Sequence, residues 1–258
     1  MPSVLPPTPQ TASVLQSPAR GWDHPLLWLG LALLMTIAQL GLAGYELGAG
    51  NQSIQIPFVK LALDPELYPR DAMLQATAGD YPSYFYPLVA QPVRWFGLVQ
   101  TYFVLHVVTA CLMFLAVYAL ARTLTGSAGS ALVALLLLVA GHHRALAGDE
   151  LYSTGFTHTW AVFPLAVMAL VLLYRGRLIW ACLLTGLVFN LHALTAAYVG
   201  CMLLVWGALH VRTLGLRRLM LMTLALALPS LPTLLHMLAH RQALDAQWIN
   251  LTYLRSAD

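Results

Sequence analysis

Charge is what this 258-residue chain has little of. Only 9% of its residues are Asp, Glu, Lys or Arg, where a soluble globular domain carries roughly 25%, so an ordinary water-soluble fold is excluded. The 13 basic and 10 acidic residues are too few and too scattered to build a nucleic-acid surface, and no nucleic-acid partner is expected. Lysine is reduced to Lys60. Cysteine is scarce too. Cys111, Cys182 and Cys201 all fall in apolar segments, which excludes a disulfide framework and a CxxC metal motif. There is no nucleotide-phosphate loop, no G-x-G-x-x-G and no G-x-S-x-G, so soluble cofactors are not expected. What is abundant is apolar: 59% of the chain is hydrophobic, with mean hydropathy +0.72. The class is a polytopic membrane protein.

The N-terminal stretch is rich in Pro, Ser and Thr. It lacks the basic start and the apolar run of about 7–15 residues that a cleavable signal needs. Residues 1–22 are therefore expected as a disordered cytoplasmic tail, and 23–258 as a single transmembrane domain. Seven apolar segments follow, at 26–45, 98–121, 130–141, 157–174, 178–190, 193–210 and 219–239. A helix crossing the hydrocarbon needs roughly 20 apolar residues. The stretch 178–210 is too long for one span and short for two. Charge decides it, because cytoplasmic loops collect Lys and Arg. Two short helices meeting near Asn190–His192 put Arg20, Arg122, Arg175, Arg177, Arg212, Arg217 and Arg218 on one side with a single acid, Asp23. The expected fold is all-α, with about seven transmembrane helices, N-terminus inside and C-terminus outside. A long first extracytoplasmic loop (46–97) should carry short interfacial helices, within 70–80 and 88–96.

The polar groups collect on the outer face. In LDPELYPRD, Asp64, Glu66, Arg70 and Asp71 lie close together. Asp71 follows Pro69 and sits where a helix dipole favours an anion, either as a functional acid or as a plain N-cap. Arg70 beside it would hold an anion. In GHHRALAGDELYSTGFTHTW, His142, His143, Arg144 and His158 concentrate between two apolar spans. Adjacent histidines project apart on a helix and this loop has no H-x-x-x-H, so the expectation there is an anion site built from Arg144 with one or two histidines, or an ordinary interfacial loop with histidines at the head-group level, rather than a metal site. Asn190 and His192 fall at the tip of the short helical pair. Polar side chains at membrane depth default to a functional reading, with a helix cap and an interhelical hydrogen bond as the structural alternative. His106, mid-span, is read the same way.

NQSIQIPFVKLALDPELYPRD (residues 51–71) and GLVFNLHALTAAY (residues 186–198), with the long aromatic outer loop and the short irregular spans, resemble the GT-C superfamily of membrane glycosyltransferases. The nearest likeness is to bacterial multi-pass proteins of that type, over roughly residues 26–258. The resemblance implies a polyprenyl-phosphate-linked sugar as donor and a carboxylate in the first outer loop as general base. By position that base is Asp71, with Glu46 and Asp64 as alternatives. Arg70, His142, His143, Arg144 and His158 would contact phosphate or substrate, and Asn190 and His192 would line the cavity. Two convergent first-loop acids would admit a divalent cation, although the spacing demands none. The two-acid pair usual after the first span is missing. The chain also ends at WINLTYLRSAD, short of the superfamily's further spans, so a shortened relative is expected. The alternatives are a non-catalytic subunit of a larger membrane complex and a transporter or lipid-handling protein. The partners expected are membrane lipids, and the address is the bacterial inner membrane.

Overall fold

The computed structural model describes residues 24–78, 83–141 and 153–240. Among them are eleven helices and no strand. Each of the seven apolar segments is a helix: α1 (Pro25–Ala43), α5 (Leu98–Thr125), α6 (Ala128–Ala140), α7 (His158–Tyr174), α8 (Leu178–Phe189), α9 (Ala193–Leu209) and α11 (Leu216–Ala239). The segment between α1 and α5 holds α2 (Gln52–Leu63), α3 (Ala72–Thr77) and α4 (Phe85–Phe96), and α10 (Val211–Leu214) links α9 to α11. The tail 1–22 and the last residues of the chain lie outside the described residues.

The expectation of seven membrane-crossing helices needs correction. Among the described residues, only α1, α5 and α11 are long and apolar enough to cross a membrane. At about 1.5 Å per residue, the 19 residues of α1 reach about 28 Å, against a hydrocarbon core of about 30 Å. The 12 residues of α8 reach about 18 Å. Hydropathy locates these segments and their ends correctly; the seven-span count fails because it takes α6, α7, α8 and α9, with 13, 17, 12 and 17 residues, as full crossings. Arg175, Gly176 and Arg177 end α7, and Asn190 ends α8.

The bundle has two cores. In the first, α5 packs against α1, α4, α6 and α7 around Tyr102, Met113, Phe114, Leu135 and Trp160, all at most 1% exposed. In the second, α8 packs between α7, α9 and α11 around Ala181, Cys182, Leu203 and Met222. Outward faces are apolar as well: Ile37 and Leu42 on α1 and Leu216 and Leu228 on α11 are at least 60% exposed. Contiguous exposure of this kind is rare in soluble monomers and natural where the surroundings are lipid tails.

Asn190 braces the second core. Its Nδ2 donates to the Pro229 carbonyl at 2.7 Å, and its Oδ1 accepts from the Thr233 hydroxyl at 2.9 Å. Its own carbonyl accepts from the Tyr84 N–H at 2.9 Å, so the α8 tip is tied to α11 and to the start of α4. Replacing this half-buried amide with an apolar side chain strands its partners at about 1–3 kcal/mol. Asn190→Leu should accordingly lower stability by about 2 kcal/mol in an SDS-titration unfolding assay.

Candidate functional site

Where α1 ends, the chain turns through Gly44 at φ 78, a left-handed conformation that L side chains avoid. That turn carries Tyr45 and Glu46 across the mouth of the bundle. The Glu46 N–H donates to the Thr154 carbonyl at 2.9 Å, pairing this loop with the segment that leads into α7. Gln52, fully buried at the start of α2, clamps the two together. Its Oε1 accepts from the Gly48 N–H at 2.6 Å, and its Nε2 donates to the Phe156 carbonyl at 3.0 Å. Gly155 makes the clamp fit, because a Cβ there would stand 2.8 Å from Gln52 Nε2 and 3.2 Å from the Glu46 carbonyl oxygen.

Between the paired loops lies a cavity of about 390 Å³, within the size range of small-molecule sites. Glu46, Asn51, Ser153, Thr154, Thr157 and Thr159 supply its polar walls, and Trp160 and Phe163 its apolar part. Glu46 is the one charged side chain among the lining residues. Helix α7 runs from this cavity to Arg175, whose Nε donates to Thr123 at 3.2 Å, and Arg218 reaches the Gly176 carbonyl at 3.4 Å. The arginines between α7 and α8 and at the start of α11 thus gather at the opposite end of the bundle, about 25 Å away along α7.

Beside the cavity is a second polar layer. Gln55 grips His158 at two points: its Oε1 accepts from the His158 N–H at 3.1 Å, and its Nε2 lies 2.8 Å from His158 Nδ1. With Oε1 facing a donor, Nε2 must be the group that donates to Nδ1. His192 is the N-cap of α9, its Nδ1 accepting from the Thr195 N–H at 3.1 Å, and its Nε2 lies 3.2 Å from Thr159 Oγ1. The two imidazoles meet edge to face, with centroids 4.3 Å apart. Burial pushes the His192 ring below its ordinary pKa.

The sequence candidates divide accordingly. Glu46 lines the cavity. Asp71 does not: it is exposed, and its Oδ1 caps α3 by accepting from the Leu74 N–H at 3.0 Å. Asp64 is exposed too, its Oδ1 accepting from the Glu66 N–H at 3.0 Å. Arg70 is exposed beside it. His158 and His192 come together one layer from the cavity, whereas Asn190 is spent on the brace to α11. His142, His143 and Arg144 lie outside the described residues. Among those described, no three His, Cys, Asp or Glu side chains come together as a metal site. Sequence reasoning missed Gln52 and Gln55, uncharged amides whose one signal is their place on the buried face of α2 with Ile56 and Val59.

Loss of the Asp71 cap should be local. Asp71→Ala removes one charge-assisted N-cap bond worth about 1 kcal/mol, detectable as faster hydrogen exchange in α3 with no effect on any reaction in the cavity.

Compared with protein-family models, curated proteins and solved structures, the chain matches none.

Proposed function

We propose that the chain is a GT-C-like integral membrane glycosyltransferase, moving a sugar from a polyprenyl-phosphate donor at the outer face of the membrane. The cavity at Glu46 is its reaction site. The observation that carries this reading is a carboxylate, the one charged side chain among the described lining residues, set in a hydroxyl- and amide-lined cavity at one end of an apolar bundle, opposite the arginines. Glu46 takes the proton of an acceptor hydroxyl, as general-base catalysis requires. The freed oxygen bonds to the anomeric carbon while the bond from that carbon to the lipid phosphate breaks, and the electron pair leaves with the phosphate. Asn51, Ser153, Thr157 and Thr159 offer donors and acceptors to sugar hydroxyls, and Phe163 with Trp160 gives the apolar face of a sugar ring a surface to pack on. The resemblance assigns cationic help for the departing phosphate to His142, His143 and Arg144, which precede Ser153 in the sequence.

In this reading α1, α5 and α11 cross the bilayer fully. The four shorter apolar helices pack among them without each needing to span the full hydrocarbon thickness. The arginine end faces the cytoplasm, which leaves the N-terminus inside and the C-terminus outside a bacterial inner membrane. Helix α4 lies at the outer boundary with Leu88, Trp95 and Phe96 turned outward.

The test is turnover. Protein in lipid nanodiscs is incubated with radiolabelled polyprenyl-phosphate hexoses and pentoses, and free polyprenyl phosphate is measured by thin-layer chromatography. Release from at least one donor is expected. Neither binding nor release across the panel would sink the proposal.

A further inference from the structure

The histidine layer behind the cavity has a proton state written into its hydrogen bonds. His192 Nδ1 accepts from the Thr195 N–H, so it carries no hydrogen. The neutral ring therefore holds its proton on Nε2 and donates it to Thr159 Oγ1. Thr159 is a wall of the cavity, so its hydroxyl accepts from the ring and keeps its own hydrogen for whatever the cavity holds. His158 is fixed the same way, with Nδ1 accepting from Gln55.

A second proton has no acceptable place on His192. On Nδ1 it would face the Thr195 N–H, donor against donor, and remove the cap of α9. The charge would sit at a helix N-terminus, where the dipole repels cations, with the His158 ring 4.3 Å away. The titratable neighbours among the described residues are His158 on α7 and, beyond it, Tyr86 on α4 with its ring 6.5 Å from that of His158. From α8 comes the neutral Asn190. Among the described residues no carboxylate bonds His192 to offset the charge.

We infer that His192 is a proton-controlled latch on the cavity. Neutral, it holds the Thr159 wall against the α9 N-terminus; protonated, it lets go, so the site is formed at neutral pH and loosened by acid. The inference rests on the cavity being the functional site but not on the reaction assigned to it.

The sign follows from linkage. A histidine that is harder to protonate latched than released makes the latched form lose ground as pH falls below the ordinary histidine value of about 6.5. With the released ring titrating at that value, the ratio of open to latched forms should rise between pH 7.5 and 5.5, with about ten-fold as the upper limit.

Hydrogen–deuterium exchange on the full chain in nanodiscs reads this without any substrate, with labelling times scaled for the intrinsic pH dependence. Protection of the peptides holding Thr195 and His158 should fall at the lower pH, by about ten-fold at most. His192→Asn keeps an N-cap acceptor that cannot titrate, and its protection should be the same at both pH values. Thr159→Val should loosen the His158 peptide at both pH values while the Thr195 peptide still responds to acid. Unchanged wild-type protection, or the same acid response in His192→Asn, would overturn the latch. Failure of sugar transfer with the latch intact would remove only the glycosyltransferase reading.

Discussion

Glu46→Gln should lower polyprenyl-phosphate release by about 10²- to 10⁴-fold, the usual contribution of a positioned general base, while leaving stability unchanged. The substitution is nearly isosteric. It keeps the backbone N–H that pairs with the Thr154 carbonyl, and it leaves the Gln52 clamp untouched. What it removes is the one group among the lining residues that can accept a full proton. The comparison that gives this meaning is Asp71→Asn, which should stay within about two-fold of wild type, because Asp71 is exposed and committed to capping α3. A large effect at Asp71 with none at Glu46 would return the base to the loop around Pro69 and empty the cavity of its assigned role. Thermal unfolding in detergent separates a catalytic loss from a folding loss.

Gly186→Ala should be the most damaging small substitution in the chain. An added Cβ would stand 2.4 Å from the Leu226 carbonyl oxygen and 3.3 Å from that of Ala225, both backbone atoms that no rotamer change can move. Helices α8 and α11 would have to separate. In doing so they would stretch the bonds from Ser230 to the Gly186 carbonyl and from Asn190 to the Pro229 carbonyl. Overpacking together with strained buried hydrogen bonds sets the cost at about 3 kcal/mol. The control is built into the neighbouring helix. At Gly200 and Gly207 the nearest atoms to an added Cβ are Leu226 Cδ2 at 3.1 Å and Met222 Cε at 3.0 Å, the flexible ends of side chains. Alanine at either should cost about 1 kcal/mol or less. SDS-titration unfolding of the three variants measures the ordering, and equal losses at all three would refute the close-approach explanation.

The apolar helices were legible because a run of Leu, Ala and Val needs no partner to declare itself, and each of the seven segments is helical to within a few residues. The number of crossings was less legible, because the positive-inside count pairs short helices across the membrane whether or not each is long enough to span it. Helix α2 was hidden in a stretch read as loop, where Pro57 argues against a helix interior. Pro57 is nonetheless the sixth of the twelve residues of α2, and its missing N–H costs a single intrahelical bond. For the site, LYPRD advertised Asp71 strongly, and the cap it advertised is what the structure contains. Glu46 gave a weaker signal because its setting depends on Thr154, Gly155 and Phe156, about a hundred residues away. No local pattern encodes that pairing. Gln52 and Gln55, which make it, carry no charge to draw notice.

The most direct measurement is a cryo-EM map of the protein in nanodiscs loaded with lipid extracted from its native membrane. The account predicts non-protein density for a lipid-linked head group inside the cavity, within hydrogen-bonding distance of the Glu46 carboxylate and the Thr159 hydroxyl. A cavity filled instead by side chains of a second polypeptide, with Glu46 paired to one of them, would contradict it and make the chain a structural subunit of a larger complex.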